Sequence, residues 1–354
     1  MSAPSLPSGR LDQVEKRTFL IRDFVLENGV VMPEVTIAYE LYGALDPGRR
    51  NAVLMAHGYT GSQHVAGTYP GETTSGPWNS LIGPGKAIDT DKLLVVSSNM
   101  LGSSFGSSNA SFIEPATGKP YGSRYPDIGL ADIVRAQRLL LDHLGVEHLV
   151  AVAGASFGGY QAFQWAVSYP DFVDGIVAVA TAPKGRGGSA DVDRLVARLA
   201  QDRNWNGGDY YDRGGVIDTT TAMRVDTLLS YGIEAQLAGA FPEPVALAAE
   251  IERQARAWAR QFDANSLVIL RRAAVRFDAV KDFARVKAKV LYVLLTSDVL
   301  FPPAIAPDVM ARLAAVGIDA SYVEVETDFG HSGYGRASAG WEAPLRAFMQ
   351  RLVA

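Results

Sequence analysis

The 354-residue sequence contains no cysteine, which excludes disulfide bonds, zinc sites built on thiolates and a cysteine nucleophile. It also lacks any apolar run near the roughly 18 residues that a membrane-spanning helix needs. Its first residues, MSAPSLPSGRLDQVEKR, are polar and do not have the apolar centre of a signal peptide. We therefore expect a cytoplasmic protein that does not bind membranes.

The sequence has little excess charge of either sign. Its 33 lysines and arginines nearly balance its 38 aspartates and glutamates, and the formal net charge is -5. A chain without a basic surface excess does not attract nucleic acid or an anionic membrane. We expect small molecules as ligands, and neither a metal ion nor a bound cofactor.

Short apolar runs rich in β-branched residues are the main feature that is present. They cover residues 51–56, 93–99, 148–154, 175–181, 290–296 and 320–326. Runs that are apolar throughout are typical of strands buried on both faces of a parallel sheet. Before them, two alternating segments flank Asn28 and Gly29 within residues 18–43, which predicts an antiparallel hairpin.

Helical patterns separate the later strands. The apolar side chains of residues 130–144 fall on one stripe, and residues 340–352 have the pattern of a terminal helix. Strands that alternate with helices predict an α/β fold with a mostly parallel, doubly wound sheet.

Residues 183–286 interrupt this alternation. They begin with a glycine-rich stretch and then carry helical segments but no convincing strand. Ligands of such folds bind at the C-terminal edge of the sheet, and we interpret the insertion as a helical cap over that edge. Residues 1–182 and 287–354 would then form the core domain.

The pattern Gly-x-Ser-x-Gly occurs twice, as GSSFG around Ser104 and GASFG around Ser156. In α/β enzymes this pattern marks a nucleophilic serine only where a strand runs into a tight turn and a helix follows at once. Ser156 comes directly after HLVAVAG and directly before the helical segment GGYQAFQWAVSYP. Ser104 is followed by a loop with two prolines. We predict that Ser156 is the nucleophile and that Ser104 is not.

A serine nucleophile needs a base, and the chain has five histidines. His331 follows the last predicted strand, where the chain order serine, acid, histidine of this fold places the base. Asp298 follows the preceding strand, and an aspartate there would hold the histidine tautomer and stabilise the imidazolium. The predicted catalytic triad is Ser156, Asp298 and His331.

An oxyanion hole is expected beside Ser156. The N–H of Phe157, directly after the nucleophile, is one expected donor, and the start of the following helix adds its positive dipole. The second donor should come from the loop HGYTG at residues 57–61. Within that loop we favour the N–H of Tyr59, with Thr60 as the alternative.

These motifs closely resemble one family, the homoserine O-acetyltransferases of the α/β-hydrolase superfamily. The resemblance extends from about Val53 to the C-terminus and rests on HGYTGSQH, NMLGSSFGSSNASFIEPATGKPYG, GASFGGYQAFQWAVSYPD, WNGGDYY, FDANS and SDVLFPP. It implies an α/β-hydrolase fold with a helical cap and a triad at the same three residues. It also implies acyl-CoA as a co-substrate and a homodimer formed through the cap.

The resemblance further implies an arginine of the cap that holds the substrate carboxylate. Arg224 occupies that position in the run AMRVDTLLSY, and Tyr231 follows two helical turns later on about the same face. A guanidinium can form two parallel hydrogen bonds to a carboxylate, which makes Arg224 an expected anchor.

The sequence departs from the family at the substrate side of the site. In the family an aspartate follows the catalytic histidine and pairs with the ammonium group of homoserine, whereas this chain has Ser332 there. A hydroxyl does not replace a carboxylate as the partner of a desolvated cation. Phe157 and Tyr160 also stand where the family has methionines. We expect a reshaped pocket, contacted by Tyr160, Ser332 and Thr60, and an acceptor other than homoserine.

Three functions remain open from the sequence. The leading interpretation is an acyl-CoA-dependent O-acyltransferase that acts on a small alcohol bearing a carboxylate. The alternative is an ester hydrolase, in which water is the acceptor. A non-catalytic binding module is the third, and it is disfavoured because such proteins usually lose part of the triad.

Overall fold

The computed structural model describes residues 6–353. The main strands are β1 Arg17–Val25, β2 Val31–Ala44, β3 Ala52–Ala56, β4 Leu94–Ser98, β5 Leu149–Ala155, β6 Val173–Val179, β7 Lys289–Leu295 and β8 Ala320–Val325. The α-helices are α1 Leu130–His143, α2 Phe157–Ser168, α3 Ser189–Leu199, α4 Ile217–Ser230, α5 Ile233–Leu237, α6 Pro244–Ala259, α7 Ala264–Arg276, α8 Ala306–Ala315 and α9 Glu342–Val353. Two-residue strands occur at Ser8–Gly9, Ile82–Gly83, Ile88–Asp89, Ile113–Glu114 and Lys119–Pro120.

The main strands form one sheet in the order β1-β2-β4-β3-β5-β6-β7-β8. Strand β2 is antiparallel to β1 and to β4, and all pairs from β4 through β8 are parallel. At the β1–β2 turn Gly29 has φ +83°, a conformation that favours glycine. The predicted hairpin and the predicted mostly parallel α/β sheet are therefore confirmed.

The sheet is covered on both faces, which explains the uninterrupted apolar runs. Leu54 of β3 packs into an apolar cluster on one face together with residues of α1, α2 and α8, whereas its neighbour Met55 packs on the other. That other cluster includes Leu345 and Phe348 of α9. Because successive side chains of a strand point to opposite faces, a strand buried twice needs apolar residues throughout.

Helices α3 to α7 all lie between β6 and β7 in the sequence. The two ends of this segment meet, because the N–H of Gly185 donates to the carbonyl of Phe277 at 2.8 Å and the N–H of Ala279 to that of Pro183 at 2.9 Å. Trp205, Met223 and Phe262 belong to a separate apolar cluster within it. We use the term cap for residues 183–286.

The carboxyl ends of the central strands position the predicted site. His57 follows β3, Ser156 follows β5, and the loops after β7 and β8 carry Asp298 and His331. The carboxyl ends of parallel strands meet at one edge of a sheet, where ligands of open α/β folds bind. None of the helices within residues 6–353 has the length and apolar character needed to cross a bilayer.

Candidate active site

Ser156 occupies the turn between β5 and α2 in a strained backbone conformation, with φ 58° and ψ -119°. Such a conformation persists only where the surroundings enforce it, and it is typical of functional turns. Small neighbours make the turn feasible. A methyl group added to Gly158 would lie 2.1 Å from the carbonyl oxygen of Ala56, and one added to Gly154 would lie 2.5 Å from the Gly158 backbone. The geometry is that of a nucleophile elbow.

Asp298 and His331 form a buried hydrogen-bonded pair. The Nδ1 atom of His331 lies 2.8 Å from Oδ2 of Asp298. The other carboxylate oxygen accepts the N–H groups of Leu300 at 2.8 Å and Phe301 at 3.1 Å. An Nδ1–H that donates to this carboxylate leaves Nε2 free to accept a proton, which is the arrangement a general base requires.

Two aromatic rings pack beside the imidazole of His331 and also line the cavity that contains Ser156. The His331 ring lies 4.9 Å from the Tyr231 ring and 5.7 Å from the Phe301 ring, measured between centroids. Tyr231 and Phe301 line a cavity of about 310 Å³ together with Ser156. The predicted nucleophile and the rings that orient the predicted base therefore share one cavity.

The loop of residues 57–61 passes beside the nucleophile. A methyl group added to Gly58 would lie 3.8 Å from the Cβ atom of Ser156. Within residues 6–353, neither the N–H of Tyr59 nor that of Phe157 donates to a backbone carbonyl. Both donors are thus available to an oxyanion, as the oxyanion hole of an acyl-transfer site requires.

The cavity around Ser156 is mainly aromatic with a charged side. Its lining residues are Tyr59, Ser156, Phe157, Tyr160, Arg186, Gly187, Asp191, Tyr231, Arg271, Ala274, Leu300 and Phe301. The Tyr160 ring lies 5.7 Å from that of Phe157 and 4.8 Å from that of Phe277. Burial raises the pKa of Tyr160 to about 12, so its hydroxyl is neutral at physiological pH.

Arg224 lies in a neighbouring cavity of about 280 Å³, which shares Tyr59 with the Ser156 cavity. Its guanidinium donates to the Thr60 hydroxyl at 2.7 Å and lies 4.8 Å above the Trp258 ring. Burial lowers the pKa of Arg224. Its Nε is buried without a hydrogen-bond partner among the described residues. Thr60 and Arg224 are thus not among the described residues that line the Ser156 cavity.

Ser332 is bonded to the cap. Its hydroxyl lies 3.3 Å from the carbonyl oxygen of Tyr231 and accepts from the side-chain amide of Gln236 at 2.8 Å. The same amide donates to the carbonyl of Phe329 at 2.8 Å. Ser332 does not occur among the described residues that line the Ser156 cavity. It links the loop that carries His331 to Gln236 of α5.

Ser104 is only 2% exposed and lies in a loop. Its hydroxyl accepts the N–H of Asp263 at 2.8 Å, which ties this loop to the start of α7. Asp263 in turn caps α7 by accepting the N–H groups of Asn265 and Ser266. The second Gly-x-Ser-x-Gly pattern therefore belongs to a contact between the core and the cap.

The remaining histidines have other partners. His143 stacks on Phe19 at 4.5 Å between centroids, and His148 lies 2.8 Å from a carboxylate oxygen of Asp174. His64 lies 3.1 Å from the buried carboxylate of Glu40. His57 lies 2.8 Å from the carbonyl oxygen of Gly58. None of these four is paired with Asp298 in the described part of the chain.

The chain is similar to known proteins in sequence and in fold. The model of the alpha/beta hydrolase fold family matches residues 51–336. The chain is 36% identical to a homoserine O-acetyltransferase of Solidesulfovibrio magneticus, with 98% of this chain and 95% of the relative covered. A homoserine O-acetyltransferase of Methanosalsum zhilinae is also 36% identical, with 93% and 71% covered. The chain belongs to the homoserine O-acetyltransferase family.

Solved structures similar to this family member carry two kinds of name. Esterase E22 superposes with a TM-score of 0.87 at 28% identity, over 95% of this chain and 100% of that structure. The homoserine O-acetyltransferase from Bacillus anthracis superposes with a TM-score of 0.87 at 27% identity, over 97% and 99%. The predicted α/β-hydrolase fold is confirmed. The enzyme belongs to a group whose members are named for acyl transfer or for ester hydrolysis.

Arg186, Asp191 and Arg271 were not found from the sequence of this family member, although all three line the Ser156 cavity. A pattern in the sequence could have indicated Arg271. It lies three residues before Ala274 and four after Leu267, both buried on α7, and a charged residue on a buried stripe is unusual. Arg186 stands in a glycine-rich stretch without periodicity, which left no pattern to interpret.

Proposed function

We propose that this enzyme transfers an acyl group to a small carboxylate-bearing alcohol through a covalent intermediate on Ser156. The observation that carries the proposal is the strained elbow of Ser156 in one cavity with the rings that orient His331, whose Nδ1 lies 2.8 Å from Asp298. This arrangement suits a serine attacking an ester or thioester carbonyl.

The reaction has two half-reactions. His331 accepts the Ser156 proton as the serine oxygen bonds to the acyl carbon, and the oxyanion accepts from the N–H groups of Phe157 and Tyr59. The carbonyl re-forms as the bond to the leaving alcohol or thiol breaks, and His331 returns the proton to that leaving group. In the second half-reaction, His331 takes the proton of the acceptor hydroxyl, the acceptor attacks the acyl-enzyme, and Ser156 regains its proton.

Two observations support an acceptor other than homoserine. Among the described residues that line the Ser156 cavity, the acidic one is Asp191. Its carboxylate already accepts hydrogen bonds from the N–H of Gly188 at 2.8 Å and from the guanidinium of Arg194. Ser332 is engaged with Tyr231 and Gln236. An ammonium group desolvated in this cavity would therefore lack a free carboxylate, which costs several kcal/mol.

Arg224 supports a carboxylate on the acceptor. Burial disfavours its charged form, and its Nε lacks a partner in the described chain. An anion beside a buried guanidinium offsets that cost through charge-assisted hydrogen bonds. We assign Arg224 to the acceptor carboxylate, with Thr60 and Tyr231 adjoining it.

Ester hydrolysis is the second candidate. The similarity to esterase E22 at a TM-score of 0.87 favours it, because that structure superposes over 95% of this chain and is named an esterase. Water as the acceptor also requires no site for an ammonium group.

Labelling with a fluorophosphonate probe tests the nucleophile. We expect the native enzyme to be labelled and Ser156→Ala to lose labelling, because the probe reacts with an activated serine. Ser104→Ala is the matched control and should keep labelling, since Ser104 is a buried hydrogen-bond acceptor in a loop. Labelling that survives in Ser156→Ala and disappears in Ser104→Ala would reverse the assignment.

A matched pair of acceptors tests the substrate class. L-homoserine and 4-hydroxybutanoate share the hydroxyl and the carboxylate, but only homoserine has an ammonium group. We expect release of free thiol from acetyl-CoA to accelerate more with 4-hydroxybutanoate, because the site lacks a free carboxylate for the cation. Release that is independent of either acceptor would show a hydrolase, and faster release with homoserine would contradict the proposed acceptor class.

A further inference from the structure

The Ser156 cavity contains positive charge that the triad chemistry does not use. Arg186 and Arg271 both line it, from the segment after β6 and from α7. We propose that these two guanidinium groups form a second anion-binding site, which holds a carboxylate or phosphate of the acyl donor while its carbonyl lies at Ser156. The proposal rests on the proposed acyl transfer and adds a charge requirement on the donor.

The charge of Arg271 is only partly balanced. Its guanidinium lies 3.4 Å from a carboxylate oxygen of Asp191, and its side chain is 30% exposed. That carboxylate is shared, because it also accepts from the N–H of Gly188 at 2.8 Å and from the guanidinium of Arg194. An anion that enters the cavity can therefore bind Arg271 without first breaking a dedicated ion pair.

Arg186 packs against an aromatic ring of the cavity wall. Its guanidinium carbon lies 5.2 Å above the Phe301 ring. Phe301 is fixed by the N–H that it donates to Asp298 at 3.1 Å. Among the salt bridges between residues 6 and 353, Arg186 has no carboxylate partner.

The backbone beside Arg186 approaches Arg271. Gly187 follows Arg186, and a methyl group added to Gly187 would meet the carboxylate of Asp191 and lie 2.9 Å from a terminal nitrogen of Arg271. Burial raises the pKa values of Tyr59 and Tyr160, both of which line the cavity, and the positive charge of Arg271 opposes this rise. Two guanidinium groups directed at one cavity are a common means of binding carboxylate and phosphate.

This site is separate from the one assigned to the acceptor. Arg224 lines the neighbouring cavity with Met223 and Trp258, and neither Arg186 nor Arg271 lines that cavity. The Ser156 cavity thus contains the anion site at Arg186 and Arg271, whereas the site at Arg224 lies in the neighbouring cavity. A reaction with charged groups on both acceptor and donor would use both.

An adjoining groove continues from this second site. It has a volume of about 850 Å³ and shares Arg186, Leu300 and Phe301 with the Ser156 cavity. Lys184 and Lys281 also line it, as do Asp278 and Asp308, and Lys184 pairs with Asp278 at 2.8 Å. The anion could therefore belong to the transferred acyl group, or to the leaving group that extends along the groove past Arg186.

Paired substrates test the site and identify the source of the anion. Mono-4-nitrophenyl succinate and 4-nitrophenyl propanoate differ by a carboxylate on the acyl group. Acetyl-CoA and S-acetylpantetheine differ by the phosphates and the nucleoside of the leaving group. In the native enzyme, we expect kcat/KM to be higher for the anionic member of at least one pair, and this preference should shrink at high ionic strength because the arginines are partly exposed.

Arg271→Gln should lower the ratio of anionic to neutral kcat/KM by about tenfold or more, because a charge-assisted hydrogen bond is lost. Arg186→Gln should act in the same direction. Arg272→Gln is the matched control, since Arg272 is the exposed neighbour on α7 and does not line the cavity. A drop confined to the succinate pair assigns the anion to the acyl group, and one confined to the thioester pair assigns it to the leaving group.

The proposal is overturned if the native enzyme shows no anionic preference in either pair, or if Arg272→Gln lowers the ratio as much as Arg271→Gln does. It is also overturned if Arg271→Gln slows all four substrates equally, which is the result expected of a merely structural arginine. An enzyme that cleaves none of the four substrates would instead contradict the proposed acyl transfer.

Discussion

His57 is a single buried residue that supports the loop of residues 57–61. Its ring is buried, with Nδ1 lying 2.8 Å from the carbonyl oxygen of Gly58 and Nε2 lying 3.1 Å from the backbone nitrogen of Met100. Burial lowers the pKa of this imidazole below its ordinary value. The residue therefore stays neutral in the folded protein while it supports the loop that carries the Tyr59 N–H.

We expect His57 to make the protein less stable in mild acid. The pKa of His57 in the folded protein lies below the ordinary value of about 6.5. Below that pH the unfolded chain therefore binds a proton at His57 more readily than the folded chain does. The free energy of unfolding should thus fall as the pH drops below about 6.5. Urea unfolding between about pH 8 and pH 5 checks this, and His57→Gln should show a shallower decline. His143→Gln, a change at an exposed histidine, should keep the native slope, and equal slopes in all three proteins would contradict the expectation.

At the scale of elements, the β5–turn–α2 unit was the most predictable part of the site. The apolar run of residues 148–154 corresponds to Leu149–Ala155, and the helix begins at Phe157, directly after the serine. These features are local, because a strand, a tight turn and a helix each leave a pattern in consecutive residues. The helices of the cap were harder to place, since their packing partners lie far away in the sequence.

Gly158→Ala should damage this unit strongly. The added methyl group would lie 2.1 Å from the carbonyl oxygen of Ala56, so β3 and α2 must separate. We expect a loss of about 1 to 3 kcal/mol or more in the free energy of unfolding and much slower fluorophosphonate labelling. Gly239→Ala is the control, because a methyl group there meets no atom within 4 Å. Unfolding and labelling rates like those of the native enzyme in Gly158→Ala would show that the elbow tolerates a side chain.

At the scale of the whole molecule, hydrogen bonds join the cap to the loop of residues 57–61 and to the loop that carries His331. The Trp258 indole donates to the carbonyl of Thr60 at 3.0 Å, and the Tyr59 hydroxyl donates to that of Leu267 at 2.5 Å. On the opposite side, Gln236 donates to the loop that carries His331. Any displacement of the cap would therefore disturb the loop of residues 57–61 and the loop that carries His331 together. The homodimer through the cap stays a prediction.

The order of the residues was sufficient to identify the fold and to predict the triad. Ser156 directly follows one strand, and Asp298 and His331 lie in the loops after two others. The apolar patterns of these strands can be recognised in consecutive residues, and parallel strands place the residues that follow them at one edge of the sheet. The surroundings of the triad depended on three-dimensional packing. The sequence did not reveal that Arg186 and Arg271 would both line the Ser156 cavity, or that Ser332 would bond to the cap. Such contacts join segments that are distant in the chain, and no local period encodes which side chains the folded cap brings together.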